Sequence, residues 1–200
     1  MPNIADNLAA VQERISAACD RAGRAPEDVQ LVAVGKKFPA PIIHEAADCG
    51  LTLFGENRVQ EAKSKIPDCP GHLRWHFIGN LQTNKCRDAV ALFDFLHAVD
   101  SLHLAAELNK RCEQAAKVMP VLLEVNVSGE GSKHGFTSEA AVAAMDAFFD
   151  FPKLELHGLM TMAPFSRNPE STRPYFQKLR ELKNACEDQL GAPLPELSMG

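Results

Sequence analysis

Several classes of protein are excluded by what this sequence lacks. No apolar stretch approaches the roughly 18 residues that a membrane helix needs. The first residues, Met1-Pro2-Asn3-Ile4-Ala5-Asp6, carry no basic flank followed by an apolar run, so no signal peptide is expected and a soluble cytoplasmic protein is the default. An excess of positive charge is also lacking: the formal net charge is -5 and no basic cluster stands out, which argues against nucleic acid or anionic lipid as a partner. The six cysteines (Cys19, Cys49, Cys69, Cys86, Cys112, Cys186) form no C-x-x-C pair and have no histidine cluster at zinc spacing. Reduced, mostly buried thiols are expected, because a 200-residue chain can build a core without disulfide staples. The Asn-Gly signal of tight hairpins is missing, and so is a G-x-G-x-x-G turn after the first apolar run.

What is present is an alternation of short β-branched runs with amphipathic segments. Ile4, Leu8, Val11 and Ile15 mark a first helix that Gly23 and Pro26 end, and residues 1–24 are expected to pack as an N-terminal helix on the rest. Strands are expected at residues 31–34, 51–54, 75–78, 95–99, 121–127, 154–160 and from 196 onward. Helices fall between them, including 41–49, 82–92, a segment reaching Ala116 behind a Ser101 cap, 138–149, and a final one from Asn168-Pro169 to Gly191. Strands joined through helices imply a parallel sheet with right-handed crossovers. The α/β class expected is therefore a TIM-type (β/α)8 barrel. A single domain is expected over residues 1–200, with the chain stopping after the seventh strand and the last strand absent.

Such a barrel gathers the C-terminal strand ends at one mouth, and polar residues lie at those ends: Lys36, Glu56, His76, Glu124, Asn126 and His157. A strand period of two carries Lys36 to the side of Val32 and Val34, where apolar walls would dry its amine and make it a nucleophile toward an aldehyde. The bland alternative is a solvated loop lysine. In Phe54-Gly55-Glu56-Asn57 the glycine permits close approach of a ligand, and Asn57 is expected to cap the next helix. His76 alone reads as a satisfied core histidine, and Met160 as a core filler. The glycine-rich stretch 128–135 lacks the order of a phosphate-binding Walker loop. Ser198 and Gly200 stand where barrels begin a loop that holds phosphate with backbone amides.

Six segments, residues 31–39, 54–61, 75–85, 132–135, 157–162 and 197–200, together resemble the pyridoxal phosphate homeostasis proteins in order and spacing. The resemblance implies a barrel like the alanine racemase N-terminal domain, with pyridoxal 5'-phosphate held as a Schiff base on Lys36. Asn57 matches the asparagine beside the cofactor, Ser198 and Gly200 match the start of the phosphate loop, and His76 and Met160 complete the expected site. Lys133 matches a mouth-loop lysine with no role assigned. Family members continue past this point with an acidic stretch and a last strand that completes the phosphate clamp. The function implied is vitamin B6 and amino-acid homeostasis without robust catalysis, by a monomer, with pyridoxal phosphate-dependent apo-enzymes as candidate recipients. A racemase-type enzyme is the alternative, although the one tyrosine, Tyr175, falls in the final helix, away from the strand ends. A barrel for another phosphorylated metabolite, using no Schiff base, is a third reading.

Overall fold

Asn3 starts the first helix by accepting the Asp6 N–H at 2.8 Å, and helix α1 runs Ile4–Ala22. It stops at Gly23, in the left-handed region at φ 64, where the Gly23 and Arg24 N–H groups donate to Asp20 and Cys19 carbonyls. The computed structural model describes residues 3–129 and 134–200. From there strand and helix alternate: β1 (Ala33–Val34), α2 (Ala40–Asp48), β2 (Leu53–Glu56), α3 (Val59–Lys65), β3 (Arg74–Phe77) and α4 (Cys86–Leu92). The series continues with β4 (Phe95–Val99), α5 (Leu102–Gln114), β5 (Met119–Glu124), α6 (Ser138–Ala144), β6 (Leu154–Thr161), α7 (Arg173–Leu190) and β7 (Glu196–Met199). Ser101 caps α5 as its position predicts, accepting from Leu104 N–H.

All seven strands are parallel and lie in chain order, each paired with its sequence neighbour. Their helix-facing side carries the core. Phe54 and Trp75 are register partners with ring centroids 5.4 Å apart, and Phe77 meets Phe93 at 5.1 Å. Fully buried alanines on four consecutive helices, Ala62, Ala89, Ala105 and Ala141, keep those helices close to the sheet. Each large buried side chain of this layer contributes about 1.5–3 kcal/mol relative to exposure. The cysteines are free, with Cys19, Cys86, Cys112 and Cys186 buried, in line with the thiol expectation. Among the described residues no helix is long and apolar enough to cross a membrane.

The sheet curls. His97 on β4 and Ser198 on β7 are hydrogen-bonded at 3.0 Å, yet a flat sheet with strands about 4.8 Å apart would hold those strands about 14 Å from each other. Only a closed-over sheet brings their side chains together, so the face opposite the helices is a concave wall. The seven parallel strands form a curled half-barrel, consistent with the truncated (β/α)8 barrel expected from the alternation. Several boundaries differ from expectation. β1 is two residues long, β2 lies two residues later than the apolar run suggests, and α6 gives way to a tighter 3-10 turn at Asp146–Asp150.

Gly158 faces the backbone of β7: a Cβ there would fall 1.8 Å from the Glu196 carbonyl oxygen. Gly158→Ala should push β7 off the sheet and cost upward of ~3 kcal/mol, because the obstacle is backbone that cannot swing aside. Gly71→Ala, where nothing lies within 4 Å, is the control and should change stability little. Denaturant unfolding of the two variants checks this.

Candidate functional site

Parallel register partners point to the same side of a sheet, so the row Val34, Gly55, His76 and Phe95 shares the concave face, opposite Phe54 and Trp75. His76 stacks on Phe95 with centroids 5.0 Å apart, and Phe95 meets His157 of β6 edge-on at 5.5 Å. His76 Nδ1 lies 2.9 Å from His97 Nε2, and His97 Nδ1 lies 3.0 Å from Ser198 Oγ, giving a three-member chain across the concavity. Both histidines are buried. Burial, followed by the Arg74 charge, pulls His76 down to about 4, and burial next to His76 pulls His97 down to about 3. Met160 is buried beside this chain as the register partner of Ser198.

A second network fixes the turn that carries Lys36. Gly35 N–H donates to the Gly55 carbonyl at 2.9 Å, and the Gly35 carbonyl accepts from Lys65 Nζ at 2.7 Å. One residue past Lys36, Lys37 adopts a left-handed backbone (φ 67) and its N–H donates to Glu61 Oε1 at 2.6 Å. The Lys65 ammonium also donates to Glu56 Oε1 at 2.7 Å and to Glu61 Oε1 at 2.9 Å. The Lys65 and Glu56 side chains are only 6% and 0% exposed. Burial raises the Glu56 carboxyl above its ordinary range despite Lys65, and its Oε2 has no hydrogen-bond partner among the described residues. Hydrogen bonding to Lys65 lowers Glu61, while Lys65, which burial would lower, is raised by its bonds to both carboxylates.

The predicted site residues fare unevenly. Lys36 follows β1 at the strand-end rim, but its side chain is exposed, not walled in. The reason is that β1 is short and pairs on one side only, leaving even Val34 42% exposed. Asn57 is half-buried after β2 and does not cap α3: the cap position is Arg58, which makes no side-chain capping bond. The Asn57 backbone is instead pressed by the loop after β3, where a Cβ on Gly79 would fall 2.3 Å from the Asn57 carbonyl oxygen. Glu56 belongs to the helix side of the sheet with Lys65, not to the mouth, because it is one residue out of step with Gly55 and Asn57. His76, Met160 and Ser198 gather on the concave face, and Gly200 follows β7 next to Met162, whose Sδ would lie 3.1 Å from a Cβ at that glycine. Tyr175 packs near the start of α7. Lys133 and Ser132 lie outside the described residues.

Two residues of consequence were not expected, His97 and Lys65. The alternation Phe95-Leu96-His97 does carry a signal, since it places His97 on the face of Phe95. Lys65, at the end of a short helix before Ile66-Pro67, looks like an ordinary solvated helix-terminal base.

Residues 7–200 match the family of the alanine racemase N-terminal domain. The chain is 41% identical over 199 residues to a pyridoxal phosphate homeostasis protein of Aquifex aeolicus, a match covering 99% of this chain and 87% of that relative. Among solved structures, PipY of Synechococcus elongatus with PLP bound superposes with TM-score 0.84 at 34% identity, covering 99% of this chain and 89% of the other. An alanine racemase of Clostridium difficile superposes with TM-score 0.66 at 16% identity, over 87% of this chain and 46% of that one, a likeness of fold alone.

Two outcomes follow from the geometry. Lys65→Met should destabilise the protein by about 3–5 kcal/mol, since it strands the buried Glu56 carboxylate, and adding Glu56→Gln should recover part of that loss in denaturant unfolding. The histidine pair sets a pH dependence. Both groups have folded values depressed below 6.5, so between pH 6.5 and about 4 the unfolded chain takes up protons that the folded one refuses. Stability should be unaffected by this pair above pH 6.5 and should fall on acidification below it, by up to ~1.4 kcal/mol per pH unit for each histidine. Unfolding curves at pH 7, 6 and 5 measure the slope.

Proposed function

The chain belongs to the pyridoxal phosphate homeostasis protein family, built on the alanine racemase N-terminal domain, and from that premise we propose that it binds pyridoxal phosphate in the mouth of its concave sheet. Its role is in the intracellular balance of that cofactor and of amino acids. It acts in the cytoplasm as a monomer, with apo-enzymes that use the cofactor as recipients, and residues 1–200 belong to one binding domain. When bound, the cofactor supplies an aldehyde that combines with primary amines, attached to a ring with a phosphate arm.

The observation that carries the assignment of the attachment point is local. Lys36 is held at the rim by bonds on both sides, through the Gly35 carbonyl and the Lys37 N–H, while its own amine makes no ion pair with a described residue. An amine with a fixed root and an uncommitted head suits reversible capture of an aldehyde. The rest of the donor set fits the same ligand. Ser198 offers a hydroxyl at the end of β7 for the phosphate arm, and Gly200 leaves backbone accessible beyond it. Asn57, held by Gly79 and spared from helix capping, borders the ring position, with His76 and Met160 forming the floor.

Lys36 supports one side of a bound amino acid, and racemisation needs a second acid-base group on the other. Tyr175 lies in the helix layer and does not supply it. Reduction with borohydride after incubation with pyridoxal phosphate, followed by peptide mass analysis, should place a pyridoxyl group on the peptide containing Lys36. Lys36→Ala should abolish that adduct and leave unfolding within about 0.5 kcal/mol of the parent, because the replaced side chain is exposed. An adduct elsewhere, or none, overturns the assignment. Multiple-turnover deuterium incorporation at Cα of L-amino acids would favour the racemase reading instead.

A further inference from the structure

The hydrogen-bonded chain from β3 through β4 to β7 has a direction, and the two directions differ in what they offer a ligand. Each neutral imidazole has one N–H and one lone pair. Both rings here are buried, and both resist protonation, so a single proton lies between His76 Nδ1 and His97 Nε2. If that proton belongs to His97, its Nδ1 is a lone pair and must accept the Ser198 hydroxyl proton at 3.0 Å. Ser198 then presents only lone pairs outward, which repel an anion. If the proton belongs to His76, His97 carries its own proton on Nδ1 and donates to Ser198 Oγ. The Ser198 O–H is then released to donate beyond the chain.

We infer that His97, backed by His76, is a positioning residue that turns the Ser198 hydroxyl outward as a donor to the phosphate of the bound cofactor. This rests on the reading of Ser198 as a phosphate contact. A phosphate dianion at the end of β7 selects the outward direction, in which His76 and His97 are both Nδ1–H tautomers, and the pair in turn fixes the hydroxyl before the ligand arrives. The number of protons on the chain is unchanged: one moves from His97 Nε2 to His76 Nδ1 and one from Ser198 Oγ to His97 Nδ1, while His76 releases its Nε2 proton to solvent and Ser198 takes one back from it.

Tautomers are read directly from long-range proton–nitrogen correlation spectra of the full chain labelled with 15N-histidine at pH 7. Pyridoxal phosphate should place His76 and His97 in the Nδ1–H form, whereas pyridoxal, which has no phosphate, should not fix them. An Nε2–H form of His97 in the phosphate-bound protein overturns the inference. Affinity gives the second readout. His97→Phe should weaken pyridoxal phosphate about tenfold and leave pyridoxal unchanged, while His97→Asn, which keeps an N–H donor near the Nδ1 position, should restore most of the loss. A merely structural role would weaken both ligands alike, and that result counts against the proposal. If the parent protein fails to prefer pyridoxal phosphate over pyridoxal, or Ser198→Ala leaves that preference intact, the phosphate reading of Ser198 fails and this inference with it. If the preference exists, depends on Ser198 and survives His97→Phe, the inference alone fails.

Discussion

The ammonium of Lys65 is the point on which the rim of this sheet depends. It is buried, and it satisfies three oxygens from three places: the Gly35 carbonyl after β1, Glu56 at the end of β2 and Glu61 in α3. A charge so placed loses most of its hydration, and only this set of short bonds offsets the loss. The arrangement cannot be made in part. If β1 drifts, the Gly35 carbonyl is lost; if α3 unwinds, Glu61 leaves both Lys65 and the Lys37 N–H. The ion pair therefore contributes less as net stability than as a constraint on where the turn at residues 35–37 can be. That turn is where the chain needs accuracy, because the short β1 ladder, two residues paired on one side, could not hold it alone.

The concave face uses the opposite strategy. Its two buried histidines, His76 and His97, are held neutral by burial, and the strands are tied together by hydrogen bonds and ring contacts: His76 to His97, His97 to Ser198, Phe95 to both His76 and His157. Neutral rings suit a wall of this kind. They are cheap to bury compared with ions, and yet each keeps one donor and one acceptor to assign. Their ordinary pKa of about 6.5 would leave a fraction charged at neutral pH, and burial removes that fraction. The outer face of the sheet carries a charged lock and the inner face an uncharged relay, and successive residues of β2 and its neighbours alternate between the two.

Much of this was legible in the sequence because it depends on period and punctuation. The strands, the helices between them and the stops at Gly23 and Gly191 occur in the order that spacing predicts, several with shifted ends, and strand β4 falls on the expected residues. The errors arise where a side chain gives no local sign of its partner. Gly55 and Glu56 look like a loop, since one lacks a side chain and the other is an acid; a lysine nine residues later makes them the end of a buried strand. Likewise a period of two was carried from Val34 into Lys36 across a glycine, although the chain leaves the strand there and enters a turn with Lys37 at φ 67. His97 was on the correct face by alternation, but its value depends on β7 curling over to meet it, a contact 101 residues distant in sequence.

The exposure of Lys36 changes the physical argument for its reactivity without removing it. Its side chain stands in the open at the rim, so it is not the dry, walled-in amine expected from the sequence. What the structure provides instead is placement. The backbone on either side of Lys36 is fixed through Lys65 and Glu61, so the freedom that the proposed attachment would remove is that of one side chain and not of a loop. The same geometry leaves the amine open to water, and to competing amines, from the outside. Under the proposed function, an attachment point set accurately in place and left open suits a protein that holds an aldehyde and gives it up.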